Sequence, residues 1–284
     1  MSFELISTIR YDPLCLDLPW NSAANHGHPS PFMLLPYHFD RLRVAAALHN
    51  WQDTFASISW ALFQSTCQRA VQAYDGPAKQ GPFKVCPPPS RLHLFLNHPC
   101  LTFLHQLRLV LHRAGTITTT VAPTPPLAAD PMFAAHISSS TDCLPRSLGD
   151  PITLFLDKIA TPSSLFTATK TTYRNHYAEA RARFGLPDVG GLADADVLLW
   201  NTNGMVTETS VRNLAFFRRG RWVTPHDSTG CLPGVTRRWL LEQGLVTIDD
   251  QGLLTRANVQ EGELVLLFNA VEGCRIGVLR LRKV

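Results

Sequence analysis

Between Leu198 and Arg237, short apolar and β-branched runs alternate with turn signals so closely that two β-hairpins followed by a helix are the natural reading. Val197–Trp200 and Met205–Ser210 flank Asn201-Thr202-Asn203-Gly204, whose Asn-Gly pair tolerates the positive φ that a tight hairpin turn demands. Asn213–Arg218 and Arg221–Val223 flank Arg219-Gly220 in the same way. After Thr224-Pro225, the segment Leu232-Pro233-Gly234-Val235-Thr236-Arg237 opens a helix over Val235–Gln243, which Gly244 closes. This order sets a carboxylate, Glu208, on a hairpin strand. It also leaves the N–H groups of Val235 and Thr236 without partners inside their helix.

The rest of the chain supplies enough apolar sequence around that block for one large domain or two modest ones in 284 residues. Residues 3–11 alternate as a strand ending at Asp12-Pro13, residues 14–31 read as a loop, and Met33-Leu34-Leu35 as a short strand. Helical spacing predicts helices from His38 to about Trp51 and from Thr54 to Tyr74, with strands at Arg91–Leu96 and Gly115–Val121. Five prolines with Ser and Thr mark 122–150 as an interdomain linker. The expected division is 1–121, linker 122–150, and 151–284. Beyond it come a strand at Ile152–Leu156, a helix over Thr172–Phe184 with Glu179 set to pair Arg183, and closing strands at Glu263–Phe268 and Arg275–Leu281.

Composition excludes more than it selects. No apolar run approaches the roughly 18–20 residues that cross a bilayer, and Met1-Ser2-Phe3-Glu4-Leu5 does not resemble a signal peptide. Seven cysteines without a Cys-x-x-Cys pair read as reduced, packed thiols of a cytoplasmic protein, and the scattered histidines predict no metal. A net charge of +4 without a basic tract argues against nucleic acid and allows a small anionic substrate.

Several residues bear chemistry. Lys170 lies just ahead of the Thr172 helix, and Glu208 sits in a strand where an inward carboxylate needs a cation. Arg41 on the first helix could reach a phosphate, and Asn269 ends the strand Leu264–Phe268 at a polar position. Each has a plain reading: a solvated lysine, an outward carboxylate, a surface arginine, a strand-ending turn. Together they supply a lysine, a carboxylate and a helix start with free N–H groups. Those are what pyridoxal 5′-phosphate needs for attachment, for its ring nitrogen and for its phosphate.

The order His38-x-x-Arg41-Leu42, Lys170-Thr171, Asn203-Gly204-x-Val206-Thr207-Glu208, Asn213, Thr224-Pro225 and Leu232-x-Gly234-Val235-Thr236-Arg237 resembles the class IV, or fold type IV, pyridoxal-phosphate family. That resemblance implies a mixed α/β protein: a small α/β N-terminal domain, a larger β-rich pseudo-barrel domain, and the cofactor between them. It implies Lys170 as the lysine that carries the cofactor and Glu208 as partner of the pyridine nitrogen. Val235 and Thr236 would hold the phosphate with Arg41 beside it, and Asn269 would line the site.

Within the family, Lys170-Thr171-Thr172-Tyr173-Arg174 and Phe268-Asn269-Ala270 are similar to 4-amino-4-deoxychorismate lyases, as is the opening Phe3–Asp12 to fungal lyase-like sequences. The resemblance therefore implies conversion of aminodeoxychorismate to 4-aminobenzoate and pyruvate, for folate synthesis. Arg10 and Arg174 are the candidates to pair with the two substrate carboxylates. An aminotransferase acting on D-amino acids, branched-chain amino acids or amines is the second reading, and a catalytically silent binding protein the third. A homodimer is the expected assembly, with the partner covering one open sheet edge of the small domain. One residue pulls the other way: an acid at Glu272, if turned to the cofactor, would disfavour a dianionic substrate.

Overall fold

The computed structural model describes residues 2–75, 104–127, 129–137, 149–188 and 194–281. The chain divides into two compact units, Ile6–Ala128, and Met1–Leu5 together with Ala129–Val284. The expected strand at Arg91–Leu96 and Cys86, Cys100 and Cys143 lie outside the described residues.

The N-terminal unit contains most of β1 (Leu5–Tyr11), then α1 (Pro19–Ala24), α2 (Leu35–Leu48), α3 (Gln52–Ala56), α4 (Trp60–Ala73), β2 (His105–Leu111) and β3 (Ile117–Pro123). Its sheet has the order β1-β2-β3, with β2 and β3 antiparallel. Helix α2 buries Leu35, His38, Leu42, Ala45 and Ala46, the apolar face its spacing predicts. Helix α4 buries Phe63, Cys67 and Val71 at four-residue intervals. Phe39 joins the two helices, its ring 5.3 Å from Phe63 and 5.6 Å from Trp60.

Three expectations need correction here. The segment 14–31 is not simply a loop: a 3-10 turn spans Pro13–Asp17 and α1 follows, each with Pro in its first turn, where a missing N–H and a fixed φ favour a helix start. Met33-Leu34-Leu35 is not a strand: Met33 and Leu34 form a buried turn, and Leu35 is the first residue of α2. Leu34 takes φ +53° and donates its N–H to Asn21 Oδ1 at 2.9 Å, so the apolar run reflects burial alone. The helix expected over Thr54–Tyr74 is broken around Ser57–Ser59, where Ser59 caps α4 by accepting from Leu62 N at 3.1 Å.

The C-terminal unit holds β4 (Ile152–Leu156), α5 (Leu165–Ala168), α6 (Asn175–Ala182), β5 (Ala195–Trp200), β6 (Val206–Thr209), β7 (Asn213–Arg218), β8 (Arg221–Thr224), α7 (Val235–Glu242), β9 (Thr247–Ile248), β10 (Leu264–Asn269) and β11 (Gly273–Arg280). Its eight strands follow the order β6-β5-β4-β11-β10-β7-β8-β9. Alternation along β5 assigns the two faces: Leu198 joins the core of Leu154, Leu214, Phe216, Val265 and Leu267, while Val197 and Leu199 pack with Tyr177, Ala180 and Phe184. The β7–β8 turn places Arg219 at φ +52° and Gly220 at φ +79°, as a tight hairpin requires.

The helix expected from Thr172 begins only at Asn175, because Leu5 forms an antiparallel bridge with Thr171 and Glu4 O accepts from Thr172 N at 2.9 Å. The Glu179–Arg183 pairing does not form as a hydrogen-bonded contact. Arg183 instead grips Asp157 through Nε at 2.8 Å and Nη2 at 2.5 Å, a fork geometry stronger than an exposed helical pair. Among the described residues no helix is long and apolar enough to cross a membrane, and no group of three His, Cys, Asp or Glu is placed to hold a metal ion.

Candidate functional site

Lys170 is held between two anchors. Upstream, Ser164 and Thr167 form a reciprocal capping box on α5, and Thr169 donates back to the Leu165 carbonyl. Downstream, Thr171 is fixed by its bridge to Leu5, and Thr172 Oγ1 accepts from Glu4 N at 2.9 Å. The half-buried lysine therefore sits on an extended two-residue span, and its positive charge acts on Glu208.

Glu208 is 4 % exposed on β6. Its Oε1 accepts from the Tyr177 hydroxyl at 2.6 Å, and its Oε2 from Asn213 Nδ2 at 3.2 Å. Burial raises its pKa from the usual 4.5 to about 7, against the opposing pull of the Tyr177 hydroxyl, the Arg174 charge, a Leu232 amide and Lys170. The same burial, with Glu208 beside it, holds Tyr177 well above the usual 10, so that hydroxyl keeps its proton and donates. His176 is lowered to about 4, first by burial and then by Arg174, and is neutral at neutral pH.

These two shifts have opposite consequences for stability. Glu208 binds its proton more tightly folded than unfolded, so its contribution falls as pH rises from about 4.5 to 7; at full ionisation the loss is about 3 kcal/mol. His176 acts the other way, its contribution being lost as pH falls from about 6.5 towards 4. The wild-type profile hides both. The difference between Glu208→Gln and wild type, measured by urea denaturation of the cofactor-free protein across pH 4–8, isolates the first. The variant gains on wild type by up to about 3 kcal/mol between pH 4.5 and 7, and a pH-independent difference would contradict the raised pKa.

Asn213 links Glu208 to the start of α7. Its Nδ2 also donates to the Leu232 carbonyl at 2.8 Å, pinning the loop that leads into the helix. Gly234 is the N-cap of α7 and gives no side-chain cap, so the amides of Val235 and Thr236 point out of the helix unpaired. Thr236 is 1 % exposed, and its Oγ1 has no hydrogen-bond partner. Arg237 points elsewhere, from Nε to Thr224 Oγ1 at 3.2 Å and from Nη2 to the Pro225 carbonyl at 2.7 Å. A Cβ on Gly234 would fall 1.9 Å from Asn213 Oδ1. Gly234→Ala therefore costs about 1–3 kcal/mol by overpacking and displaces Asn213 from both Glu208 and Leu232. Thermal denaturation checks it, and an unchanged midpoint would count against this packing.

A small cleft opens beside Glu208, lined by Thr161, Ser163, Thr167, Thr207, Tyr177 and His176 among others. The buried His176 Nε2 has no hydrogen-bond partner. Arg174 donates from Nη2 to the Ser210 carbonyl at 3.1 Å and lays its guanidinium over the Tyr177 ring at 4.3 Å. Nothing in the sequence pattern marks Tyr177 or His176 for chemistry, because Tyr177 is only one aromatic on an amphipathic helix face.

The other expected site residues have different surroundings. Arg10, in the N-terminal unit, is buried and forked onto Asp12, with Nε at 3.1 Å and Nη2 at 2.7 Å, and Nη2 also reaches the Pro125 carbonyl at 2.5 Å. Its charge is balanced inside that unit, where a substrate carboxylate was expected. Arg41, in the same unit, donates from Nη2 to Ser7 Oγ at 2.9 Å, which in turn contacts His38 Nδ1 at 2.7 Å; burial lowers Arg41 to about 10. Asn269 caps the β10–β11 turn, its Oδ1 accepting from Val271 N and Glu272 N at 2.8 Å each. The Glu272 carboxylate is paired with Arg212 at 2.6 Å and 2.7 Å, so it presents no unbalanced charge.

A strand carboxylate, a lysine on an extended anchor and an uncapped helix start are therefore gathered in one β-rich unit. The chain belongs to the amino-transferase class IV family, whose model matches residues 23–278. It is 43% identical over 131 residues to a Schizosaccharomyces pombe protein provisionally named aminodeoxychorismate lyase, covering 45% of this chain and 55% of that one. It is 34% identical over 133 residues to the aminodeoxychorismate lyase of Saccharomyces cerevisiae, covering 42% of this chain and 35% of that one. The match thus spans about half or less of these curated relatives. A crystal structure of a provisionally named amino-acid aminotransferase from Mesorhizobium loti shares the fold, with a TM-score of 0.60 at 22% identity over 98% of this chain and 100% of that one.

Proposed function

We propose that the protein is a pyridoxal-phosphate enzyme that converts 4-amino-4-deoxychorismate to 4-aminobenzoate and pyruvate. The observation that carries this reading is the 43% identity to the S. pombe relative, joined to a site whose donors fit the cofactor. The fit rests on the orphaned Thr236 Oγ1 beside two unpaired helix-start amides, which suit a phosphate, and on a buried carboxylate whose raised pKa calls for a cation. Bound there, the cofactor would supply an electron sink for the carbon bearing the substrate nitrogen.

The chain's own residues do the rest. The Val235 and Thr236 amides and the Thr236 hydroxyl would hold the phosphate, and Glu208 would keep the ring nitrogen protonated. Lys170 would carry the cofactor, and its amine would take the proton from the carbon bearing the substrate nitrogen. The reaction also needs a proton delivered to the methylene carbon of the departing enolpyruvyl group, which leaves as pyruvate while the ring becomes aromatic. Arg174 uses one N–H on Ser210 and one face on Tyr177, and its remaining donors suit a substrate carboxylate.

Borohydride reduction of protein incubated with pyridoxal phosphate, followed by peptide mapping, tests the cofactor assignment. Label on Lys170 supports it, and label confined to other lysines opposes it. Addition of amino donors to the loaded protein tests the second reading. Stoichiometric conversion of the cofactor to its amine form, with release of a keto acid, would make the protein an aminotransferase.

A further inference from the structure

Glu208 can serve a pyridine nitrogen only if it stays ionised in a place where burial favours its neutral form. Three donors oppose that tendency: the Tyr177 hydroxyl on Oε1, the Asn213 amide on Oε2, and the Leu232 backbone N–H. They are not equivalent. The Asn213 amide is shared with Leu232 and lies at 3.2 Å, whereas the Tyr177 hydroxyl has Glu208 as its hydrogen-bonded carboxylate at 2.6 Å.

Tyr177 is itself held on several sides. It is 5 % exposed, packed with Ala180, Phe184, Val197 and Leu199, and covered by the Arg174 guanidinium at 4.3 Å. Arg174 is tied in turn to the Ser210 carbonyl, two residues beyond Glu208 on the same stretch of chain. The brace thus runs from the end of β6 through Arg174 and Tyr177 and back to the carboxylate.

We infer that Tyr177 is the positioning residue for Glu208: its hydroxyl, braced by Arg174, keeps the carboxylate ionised and oriented for the pyridine nitrogen. The inference rests on the cofactor reading above. The charged and titratable groups facing this pair are few and their signs are consistent. Arg174 and Lys170 favour the carboxylate; His176 is neutral at neutral pH; Cys231 is pushed up to about 11 by burial and is a neutral thiol. Arg237 and Asp227 act on Cys231 from beyond it and pair with each other at 2.6 Å.

Tyr177→Phe removes one oxygen and keeps the ring beneath Arg174, so the fold is retained. In cofactor-free protein, infrared titration of the Glu208 carboxyl band, identified by its loss in Glu208→Gln, should show a midpoint about one pH unit or more above wild type. Pyridoxal-phosphate affinity, followed by absorbance, should fall about fivefold or more at pH 7 and recover most of that loss at pH 9, where Glu208 ionises without help. An unchanged midpoint would overturn the inference. So would an affinity loss of the same size at every pH, which is the mark of a packing role. A wild-type protein that takes up no pyridoxal phosphate sinks the functional reading instead, and the cofactor-free midpoint then decides alone whether Tyr177 governs Glu208.

Discussion

Lys170→Ala will abolish turnover, by at least about a thousandfold, while changing stability by less than about 1 kcal/mol. The two halves of that expectation have separate causes. Lys170 is half-buried on an extended span whose shape is fixed by backbone contacts at Leu5, Glu4 and the α5 cap, none of which needs its side chain. Its amine, by contrast, is the base that the proposed chemistry requires, and deletion leaves no lysine in the motif to replace it. The same substitution removes a positive charge that favours the Glu208 carboxylate, so the Glu208 midpoint should rise in the variant. Steady-state rates and a denaturation curve on one preparation check both parts. A variant that retains more than a tenth of wild-type activity would remove Lys170 from the mechanism.

Asp196→Ala will cost more stability than breaking any exposed ion pair among the described residues, about 3–5 kcal/mol or roughly 6–15 °C in melting temperature. Asp196 is fully buried on β5 and accepts from Thr209 Oγ1 at 2.7 Å, Ser210 Oγ at 2.5 Å, Val197 N at 2.8 Å and Arg212 Nη1 at 2.8 Å. Arg181 Nη1 lies 3.6 Å away. Removing the carboxylate would leave two buried guanidinium groups with one strong partner between them, Glu272 on Arg212. Burial works against the Arg212 charge, yet Glu272 and Asp196 together hold its pKa above the ordinary value. The exposed pair Arg238–Glu242, at 2.8 Å but 50 % and 42 % exposed, provides the contrast: breaking it should cost less than about 1 kcal/mol. Because Thr209 and Ser210 follow Glu208 directly, Asp196→Ala should also loosen the carboxylate, and a melting temperature within 2 °C of wild type would contradict this view of the network.

The parts of the fold legible in the sequence were those with local causes. The β7–β8 hairpin follows from Arg219-Gly220, and the start of α7 from Gly234-Val235-Thr236. Burial of the α2 face follows from helical spacing. What escaped was set by tertiary contact. Met33-Leu34-Leu35 has the composition of a strand, and only the Asn21 side chain, bonded to Leu34 N and to the carbonyls of Ser30 and Phe32, makes Met33 and Leu34 a turn. The late start of α6 depends on Glu4 and Leu5, more than 160 residues away in sequence.

The candidate site shows the same division. Lys170, Glu208, Val235 and Thr236 stand out in the sequence because chain order and spacing carry them. Tyr177 does not, since nothing in a helix pattern says that one aromatic hydroxyl will meet a carboxylate 31 positions later at 2.6 Å. Arg10 illustrates the converse. The resemblance to the lyases makes Arg10 a candidate for a substrate carboxylate, while the sequence shows Asp12 only as the end of a strand; in the fold the two pair at 2.7 Å.

The most direct test is a product assay on cofactor-loaded wild-type protein: aminodeoxychorismate supplied, 4-aminobenzoate followed by fluorescence and pyruvate by a coupled reaction. Equal amounts of both products, formed without any added amino acceptor, are the expected result. Neither product from protein that carries pyridoxal phosphate on Lys170 would contradict the lyase reading, and with amino-group transfer to a keto acid it would identify an aminotransferase instead.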